Sequence, residues 1–396
     1  MSRILVTGMG VVSALGEGPE ANRKALAEGV CGIGTLGLFP SRYAGVLPCG
    51  EIKTTTDQLK EKLKATESGV TRTMLLALDA FDQAVTDAGL TPSRLSESGT
   101  ALISATTVGG MCLTDELYKD ARNATGGSAY LRSYDCGSVA LYLQARYALG
   151  GVINTINTAC SSSANAIAFG ARLIKQGLAT RVIAGGVDSL AKFTINGFNA
   201  LHILSPEKCA PFDKDRQGLN LGEGAAFIVL ESESTFTGKG KVYGELRGHG
   251  NAGDAFHPSS LSPEGEGPFL AMQKALYSAD LTPDQIGFIN AHGTATENND
   301  AVESHAMQRL FPSVPPFAST KSNTGHTLGA AGAIEAVYSL LNLVYQEVYP
   351  ALQFREPIEA AGLVPVLSYT PLTLNHVMSN SFGFGGNCTS LIFSKA

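Results

Sequence analysis

The sequence predicts an α/β layered fold, and one pattern in it points to duplication. Three observations carry this. Apolar, β-branched runs end repeatedly in glycine turns and lead into helical patterns. The alternation starts again in the second half. Each half also closes on a glycine-rich turn running into an apolar strand: Gly222-Glu-Gly-Ala-Ala-Phe-Ile-Val-Leu, then Gly385-Gly-Asn-Cys-Thr-Ser-Leu-Ile-Phe. The expected halves are residues 1–240 and 241–396. Their seam falls in Glu231 to Lys241, a stretch rich in Ser, Thr, Gly and charge.

Taken in order, Ile4-Leu-Val is the first strand. Thr73 to Ala88 is a helix, with Leu75, Leu78, Phe81, Ala84, Val85 and Ala88 on one stripe, stopped by Gly89 and Pro92. Ala101-Leu-Ile-Ser is a buried strand. Ser138 to Leu149 is helical, and Val152 to Thr158 is extended. Arg181-Val-Ile-Ala-Gly-Gly and Ala226-Phe-Ile-Val-Leu-Glu are strands. In the second half Phe269 to Ala279 is a helix with Phe269, Met272 and Leu276 in line. Gly287-Phe-Ile-Asn is a strand, and Gly329 to Tyr345 a long helix. Met378 to Ser381 and Ser390 to Phe393 are the closing strands.

Composition narrows the function classes. The chain has 396 residues, long enough for a large core. A formal net charge of −6 argues against bulk nucleic-acid binding. The 45 glycines, without a collagen period, imply tight turns and close backbone contacts. The seven cysteines are scattered and form no CxxC pair, which fits a reducing cytoplasm better than a disulfide framework or a zinc site. No run reads as membrane-spanning, and the opening residues read as a strand rather than a leader.

Four segments could carry chemistry. In Asn157-Thr-Ala-Cys-Ser-Ser-Ser-Ala, Cys160 stands at the start of a helix of small residues. There the macrodipole and free N–H groups lower a thiol pKa, and the serines can cap the helix. A buried structural cysteine is the plain alternative. His292, in Asn290-Ala-His-Gly-Thr-Ala-Thr, sits where a strand ends at a glycine turn. Open α/β sheets expose functional groups at such places. His326 lies in Lys321-Ser-Asn-Thr-Gly-His-Thr-Leu-Gly-Ala-Ala-Gly, before a tightly packed helix bearing Glu335. Asn380-Ser-Phe-Gly-Phe-Gly-Gly386 offers backbone N–H groups at close approach, as an oxyanion hole needs. A rival is Gly8-Met-Gly-Val-Val-Ser after Ile4-Leu-Val-Thr, close to the dinucleotide fingerprint, which would make the chain an oxidoreductase.

Together, in this order, these motifs resemble the elongating β-ketoacyl-acyl-carrier-protein synthases of the thiolase-like superfamily. The resemblance covers essentially the whole chain, through Pro211-Phe-Asp-Lys-Asp-Arg-Gln-Gly-Leu-Asn-Leu-Gly-Glu-Gly to Leu391-Ile-Phe. It implies a duplicated five-layer αβαβα sandwich and a decarboxylative Claisen condensation of an acyl primer with malonyl carrier protein. It implies that Cys160 is the nucleophile, that His292 and His326 hold the malonyl thioester oxygen, and that Lys321 and Glu335 are a supporting pair. The N–H groups of Cys160 and Phe384 would hold the acyl oxyanion, with Phe384 as a gate. Thr294 and Thr296 would bind the pantetheine arm, and Val108 would lie where the acyl pocket meets the dimer partner. No metal or redox cofactor is expected. The expected partners are acyl carrier protein and a second subunit, either a copy of this chain or a chain-length-factor paralogue.

Three departures tilt the reading from housekeeping fatty-acid synthesis toward a specialised polyketide or polyene pathway. The basic cluster many relatives carry before the Thr73 helix is reduced to Arg72. His202 replaces a frequent arginine. The usual GFGGTN reads Gly383-Phe-Gly-Gly-Asn-Cys388. Carrier docking would then use other bases, Lys192 or Arg132, or the partner subunit. Two further readings stay open: a coenzyme-A thiolase with Cys388 as second cysteine, and a non-catalytic chain-length partner, which the presence of Cys160 disfavours.

Overall fold

A computed structural model describes residues 2–123, 127–237 and 240–396. Ten strands and six helices build its layers. The first half contributes β1 (Ile4–Ser13), α1 (Arg72–Asp87), β2 (Thr100–Ala105), α2 (Gly137–Tyr147), β3 (Ile153–Ile156), α3 (Ser162–Lys175), β4 (Arg181–Asp188) and β5 (Gly224–Ser232). The second contributes β6 (Gly244–Gly253), α4 (Glu266–Ala279), β7 (Phe288–Asn290), α5 (Glu297–Leu310), β8 (Phe317–Ala318), α6 (Ala331–Tyr345), β9 (His376–Phe382) and β10 (Asn387–Ser394).

The strand order is β8-β7-β9-β10-β6-β1-β5-β4-β2-β3. Outward from the centre the halves repeat each other. β1/β5 and β5/β4 are antiparallel, and β4/β2 and β2/β3 parallel. β6/β10 and β10/β9 are antiparallel, and β9/β7 and β7/β8 parallel. The two five-stranded sets meet where Leu5 and Val6 pair with Glu245 and Gly244. The seam expected at Glu231 to Lys241 runs partly through residues 238–239, which lie outside the described residues.

Helices α3 and α6 pack on each other and touch both strand sets, while α1 and α2 cover one outer face and α4 and α5 the other. This gives the layers αβαβα. Strands buried on both faces explain the near-continuous apolar runs. In β5, Ala226, Ile228 and Leu230 face the inner core, and Phe227 and Val229 face α1. In β10, Leu391 and Phe393 face inward and Ile392 outward.

The dinucleotide reading fails here. Gly8 and Gly10 lie inside β1, which runs antiparallel to β5 instead of turning into a helix. A Cβ on Gly8 would come within 2.5 Å of Ala84 O, and one on Gly10 would strike Ala80 O. These glycines admit α1, not a pyrophosphate. β6 repeats the device, with Gly248 and Gly250 against Ala275 and Ala271 of α4.

Several expectations shift. β6 and α5 were not legible, because β6 carries four glycines and α5 opens on Glu297-Asn-Asn-Asp. One stretch, Leu328–Tyr345, is apolar and long enough to cross a membrane, contrary to expectation, but it is 89% buried as the core helix α6. All seven cysteines are free.

Candidate active site

Cys160 stands where β3 turns into α3. Ala159 before it adopts φ 53°, a left-handed conformation that a residue with a Cβ rarely takes. The serines brace this elbow and do not cap the helix, which has no side-chain cap. Ser162 Oγ accepts from Thr158 N–H at 2.8 Å and donates to Ala159 O at 2.5 Å. Ser161 Oγ donates to Thr158 O or Asn387 Oδ1, each at 2.8 Å. Ser163 Oγ accepts from Ala333 N–H of α6 at 2.8 Å. Serine is small enough to hydrogen-bond the neighbouring backbone at Thr158 and Ala159, while Ser161 and Ser163 also reach Asn387 and α6.

The thiol is buried. Burial pushes its pKa up to about 11, while the N–H of Phe384 and the charge of Lys321 pull it down. This corrects the expectation of a depressed thiol: desolvation of the anion exceeds what the helix N-terminus and nearby donors return. The backbone N–H groups of Phe384 and Cys160 both favour the thiolate form of this sulfur; main-chain donors beside the reacting atom are what an oxyanion hole requires.

His292 and His326 face the thiol from the second half. One ligand atom from each of Cys160, His292 and His326 lies within 4.8 Å of the others. The two imidazoles meet edge to face, 5.4 Å between centroids. His292 ends the β7 turn, where its own N–H and that of Gly293 each donate to Glu303 at 2.9 Å. Its Nδ1 lies 3.2 Å from Lys321 Nζ, which also donates to His292 O at 2.6 Å and pairs with Glu335. An ammonium can only donate, so Nδ1 accepts and the ring proton sits on Nε2. His326 Nδ1 accepts from Leu328 N–H at 3.2 Å, so its proton too sits on Nε2, which is buried without a partner. Burial, and then the charge of Lys321, hold both imidazoles well below the usual histidine range. Two neutral N–H donors therefore point into one cavity.

That cavity is about 430 Å³, and its lining includes the exposed Leu201 and His202. Thr294 and Thr296 line it, their hydroxyls 2.9 Å apart. Phe384 lines it and stacks on Phe198 at 5.9 Å. Val108 does not: it is buried with Leu219 and Leu328 behind the wall, its N–H held by Asp188 Oδ1 at 2.8 Å. Cys388 is also off the cavity. It is fully buried with its thiol pushed up by desolvation, as for Cys160, but it does not line the cavity where a thiolase would need its second cysteine. Arg72 is no docking base, since it is buried against Glu223 at 2.7 Å. Lys192 is paired with Asp115 at 2.5 Å, whereas Arg132 is exposed.

Two residues that hold the site, Asp188 and Glu303, escape the sequence reading, and a third, Asn387, enters it only as a departure from GFGGTN. Asp188 gathers Thr106, Thr107, Val108 and, across the halves, Gly329 N–H at 2.7 Å. Each is a single polar residue in an apolar or common context, and only the fold reveals its partners.

Residues 1–235 match the model of the β-ketoacyl synthase N-terminal domain, and 243–355 that of its C-terminal domain. The chain belongs to the β-ketoacyl synthase family. It is 34% identical to a 3-oxoacyl-[acyl-carrier-protein] synthase 2 of Vibrio cholerae, over 99% of both chains. Against the same-named protein of Rhizobium meliloti it is 35% identical, over 100% of this chain and 99% of that one. Among solved structures it resembles the ishigamide ketosynthase/chain length factor (TM-score 0.92, 28% identity, 100% and 99% covered). It also resembles the ketosynthase ApeO in complex with its chain length factor ApeC from Xenorhabdus doucetiae (TM-score 0.87, 33% identity, 100% and 98% covered). This β-ketoacyl synthase is thus a thiolase-like condensing enzyme of the acyltransferase class.

Proposed function

We propose that Cys160 carries the acyl primer while His292 and His326 serve the malonyl thioester. The observation that carries this is the convergence of one thiol and two neutral Nε2–H donors from opposite halves on one cavity. Cys160 Sγ attacks the primer thioester. The carbon–sulfur bond to pantetheine breaks, and the thiol proton ends on the departing pantetheine sulfur. The acyl oxyanion rests on the N–H groups of Cys160 and Phe384. A malonyl thioester then loses CO₂, and the electron pair moves into an enolate whose oxygen accepts from His292 and His326. The enolate carbon attacks the acyl carbonyl, the carbon–sulfur bond to Cys160 breaks, the thiolate takes a proton from solvent, and a β-ketoacyl thioester results. Lys321 holds His292 through Nδ1 and the carbonyl, and Glu335 holds Lys321.

Thr294 and Thr296 bind the pantetheine arm, and Phe384 moves as a gate on its flanking glycines. No metal or redox cofactor enters these steps. Cysteine and two histidines could also grip zinc, so a chelator should leave condensation unchanged, and loss on dialysis against it would overturn the metal-free reading. The partners are acyl carrier protein and a second subunit, a copy of this chain or a chain-length-factor paralogue for which this chain is the active half. The compartment is the cytoplasm.

The test is condensation of malonyl carrier protein with an acyl primer. Cys160→Ala abolishes it. Cys160→Gln abolishes it while malonyl decarboxylation persists, because the amide mimics the acyl thioester. Retained condensation in Cys160→Ala sinks the assignment.

A further inference from the structure

Beneath the gate turn lies a polar cluster that the steps above do not use. Asn387 begins β10, directly after Gly383-Phe-Gly-Gly386. Its Oδ1 receives Ser161 Oγ at 2.8 Å, Asn165 Nδ2 at 2.8 Å, Asn251 Nδ2 at 2.9 Å and Thr389 Oγ1 at 3.4 Å. Asn165 Oδ1 takes Asn251 Nδ2 and Thr389 Oγ1, each at 3.0 Å. Asn165 Nδ2 also reaches Thr158 Oγ1 at 2.9 Å. An amide oxygen has two lone pairs, so Asn387 Oδ1 is fully subscribed. The cluster joins three elements: the first turn of α3, the last residues of β6 and the start of β10.

None of Asn165, Asn251 or Asn387 lines the substrate cavity. What they join is the turn holding one oxyanion donor, Phe384 N–H, to the elbow holding the other, Cys160 N–H. The contact is close: a Cβ on Gly383 would come within 2.7 Å of Thr158 O and 3.2 Å of Cys160 N. Ser161, the residue after the nucleophile, is where the cluster grips the elbow.

We propose that Asn387 is a positioning residue for acyl transfer, setting the separation of the Phe384 and Cys160 N–H donors by tying the gate turn to α3. This rests on the acyl-transfer reading of Cys160. The malonyl half-reaction uses the histidines, which Asn387 does not touch, so its loss separates the two. The family's GFGGTN has threonine at this place. A threonine hydroxyl is shorter and cannot reach the same donors, so the asparagine belongs to the particular set of amides in this chain.

The experiment measures acylation of Cys160 by mass spectrometry and malonyl decarboxylation in the Cys160→Gln background. Asn387→Ala and Asn387→Thr are expected to slow acylation about 10- to 100-fold, the cost of misplacing a reacting group by about 1 Å. Decarboxylation in Cys160→Gln/Asn387→Ala should stay within twofold of Cys160→Gln. Asn387→Asp keeps the acceptor oxygen and should recover most of the acylation rate. Acylation within twofold of wild type in both Asn387→Ala and Asn387→Thr overturns the proposal. So does an equal fall of both half-reactions, which would mark a merely structural role. If Asn387→Ala does not fold, Asn387→Thr and Asn387→Asp carry the same comparison. Failure of the wild-type chain to acylate at Cys160 would instead sink the reading on which this rests.

Discussion

The two halves share strand order, direction and glycine packing, yet topologically matched places in them do different work. The connection into the central helix carries Cys160 in the first half and Lys321 and His326 in the second. The connection after the parallel strand β7 carries His292, Thr294 and Thr296. After β2 it carries Thr106, Thr107 and Val108, all bound to buried Asp188. Between β9 and β10 only residues 383–386 intervene, and they hold Phe384. Between β4 and β5 residues 189–223 intervene, and they build a cavity wall from Phe198 to Leu219. The sheets fix where loops can meet, and the loops decide the chemistry. A symmetric molecule would have two thiols or two donor sets. This one has a single thiol facing two imidazoles.

The sharpest way to break that comparison is to disable one half at a time. Cys160→Ser should lower condensation by about 10³-fold or more while leaving decarboxylation measurable. His326→Ala, or His292→Ala, should lower decarboxylation by about 10²- to 10³-fold, the usual loss when an oxyanion donor is removed. Acylation of Cys160 should persist in both. Radiolabelled CO₂ release and mass analysis of the trapped acyl group read the two halves separately. If the histidine variants lost acylation as completely as decarboxylation, the division of labour would be wrong.

The supporting ion pair comes next. Lys321 and Glu335 are almost wholly buried, and Lys321→Ala leaves Glu335 alone in the core. Breaking a buried pair costs about 3–5 kcal/mol, so Lys321→Ala should unfold earlier in urea. The double variant Lys321→Met/Glu335→Leu should recover much of the stability but not the activity, because His292 Nδ1 loses its partner. Recovery of activity in the double variant would show that the pair has no part in orienting His292.

The loop that presents His292 gives a pH signature. Burial pushes the Glu303 carboxyl up to about 7 from an ordinary value near 4.5. Its folded pKa is raised, so the stability held by the neutral form is complete below about 4.5 and is lost as pH rises to about 7. The expected fall is about 3 kcal/mol across that window. Glu303→Gln should be less stable at pH 5, since one of its N–H donors loses an acceptor, and its stability should fall less steeply between pH 5 and 7, the remaining slope coming from Glu335, whose carboxyl burial also pushes up to about 7. Urea midpoints at half-unit steps decide this; a slope unchanged in the variant would assign the titration elsewhere.

The order of motifs along the chain made the family legible, and with it the three residues that meet in the cavity, Cys160, His292 and His326. Helices α1 and α4 were legible from apolar stripes, and α6 as a long apolar helix. Of what supports the site, the Lys321–Glu335 pair was legible and the rest was not. Asp188, Glu303 and Asn387 act through partners up to 226 residues away, and pairing at that range leaves no local pattern. Strand β6 was hidden for a related reason: its glycines look like a loop until α4 is laid against them. Thiol acidity was misjudged because a helix N-terminus is local and burial is not.

The last prediction tests the shared frame. If the halves are built alike, equivalent glycines should be equally intolerant. Gly10→Ala drives a methyl into Ala80 O, and Gly250→Ala into Ala271 O. Each pushes a helix off its sheet, and overpacking of this kind costs about 1–3 kcal/mol. Gly253, at the exposed end of β6, has nothing within 4 Å of a would-be Cβ. Gly253→Ala should therefore change stability by about 0.5 kcal/mol or less. Urea unfolding of the three variants reads the comparison directly. Equal losses at 10 and 250 with none at 253 tie the penalty to helix approach in both halves. A large loss at only one of the pair would show that the repeated strand order conceals different packing, and that one half alone sets the distance between sheet and outer helix.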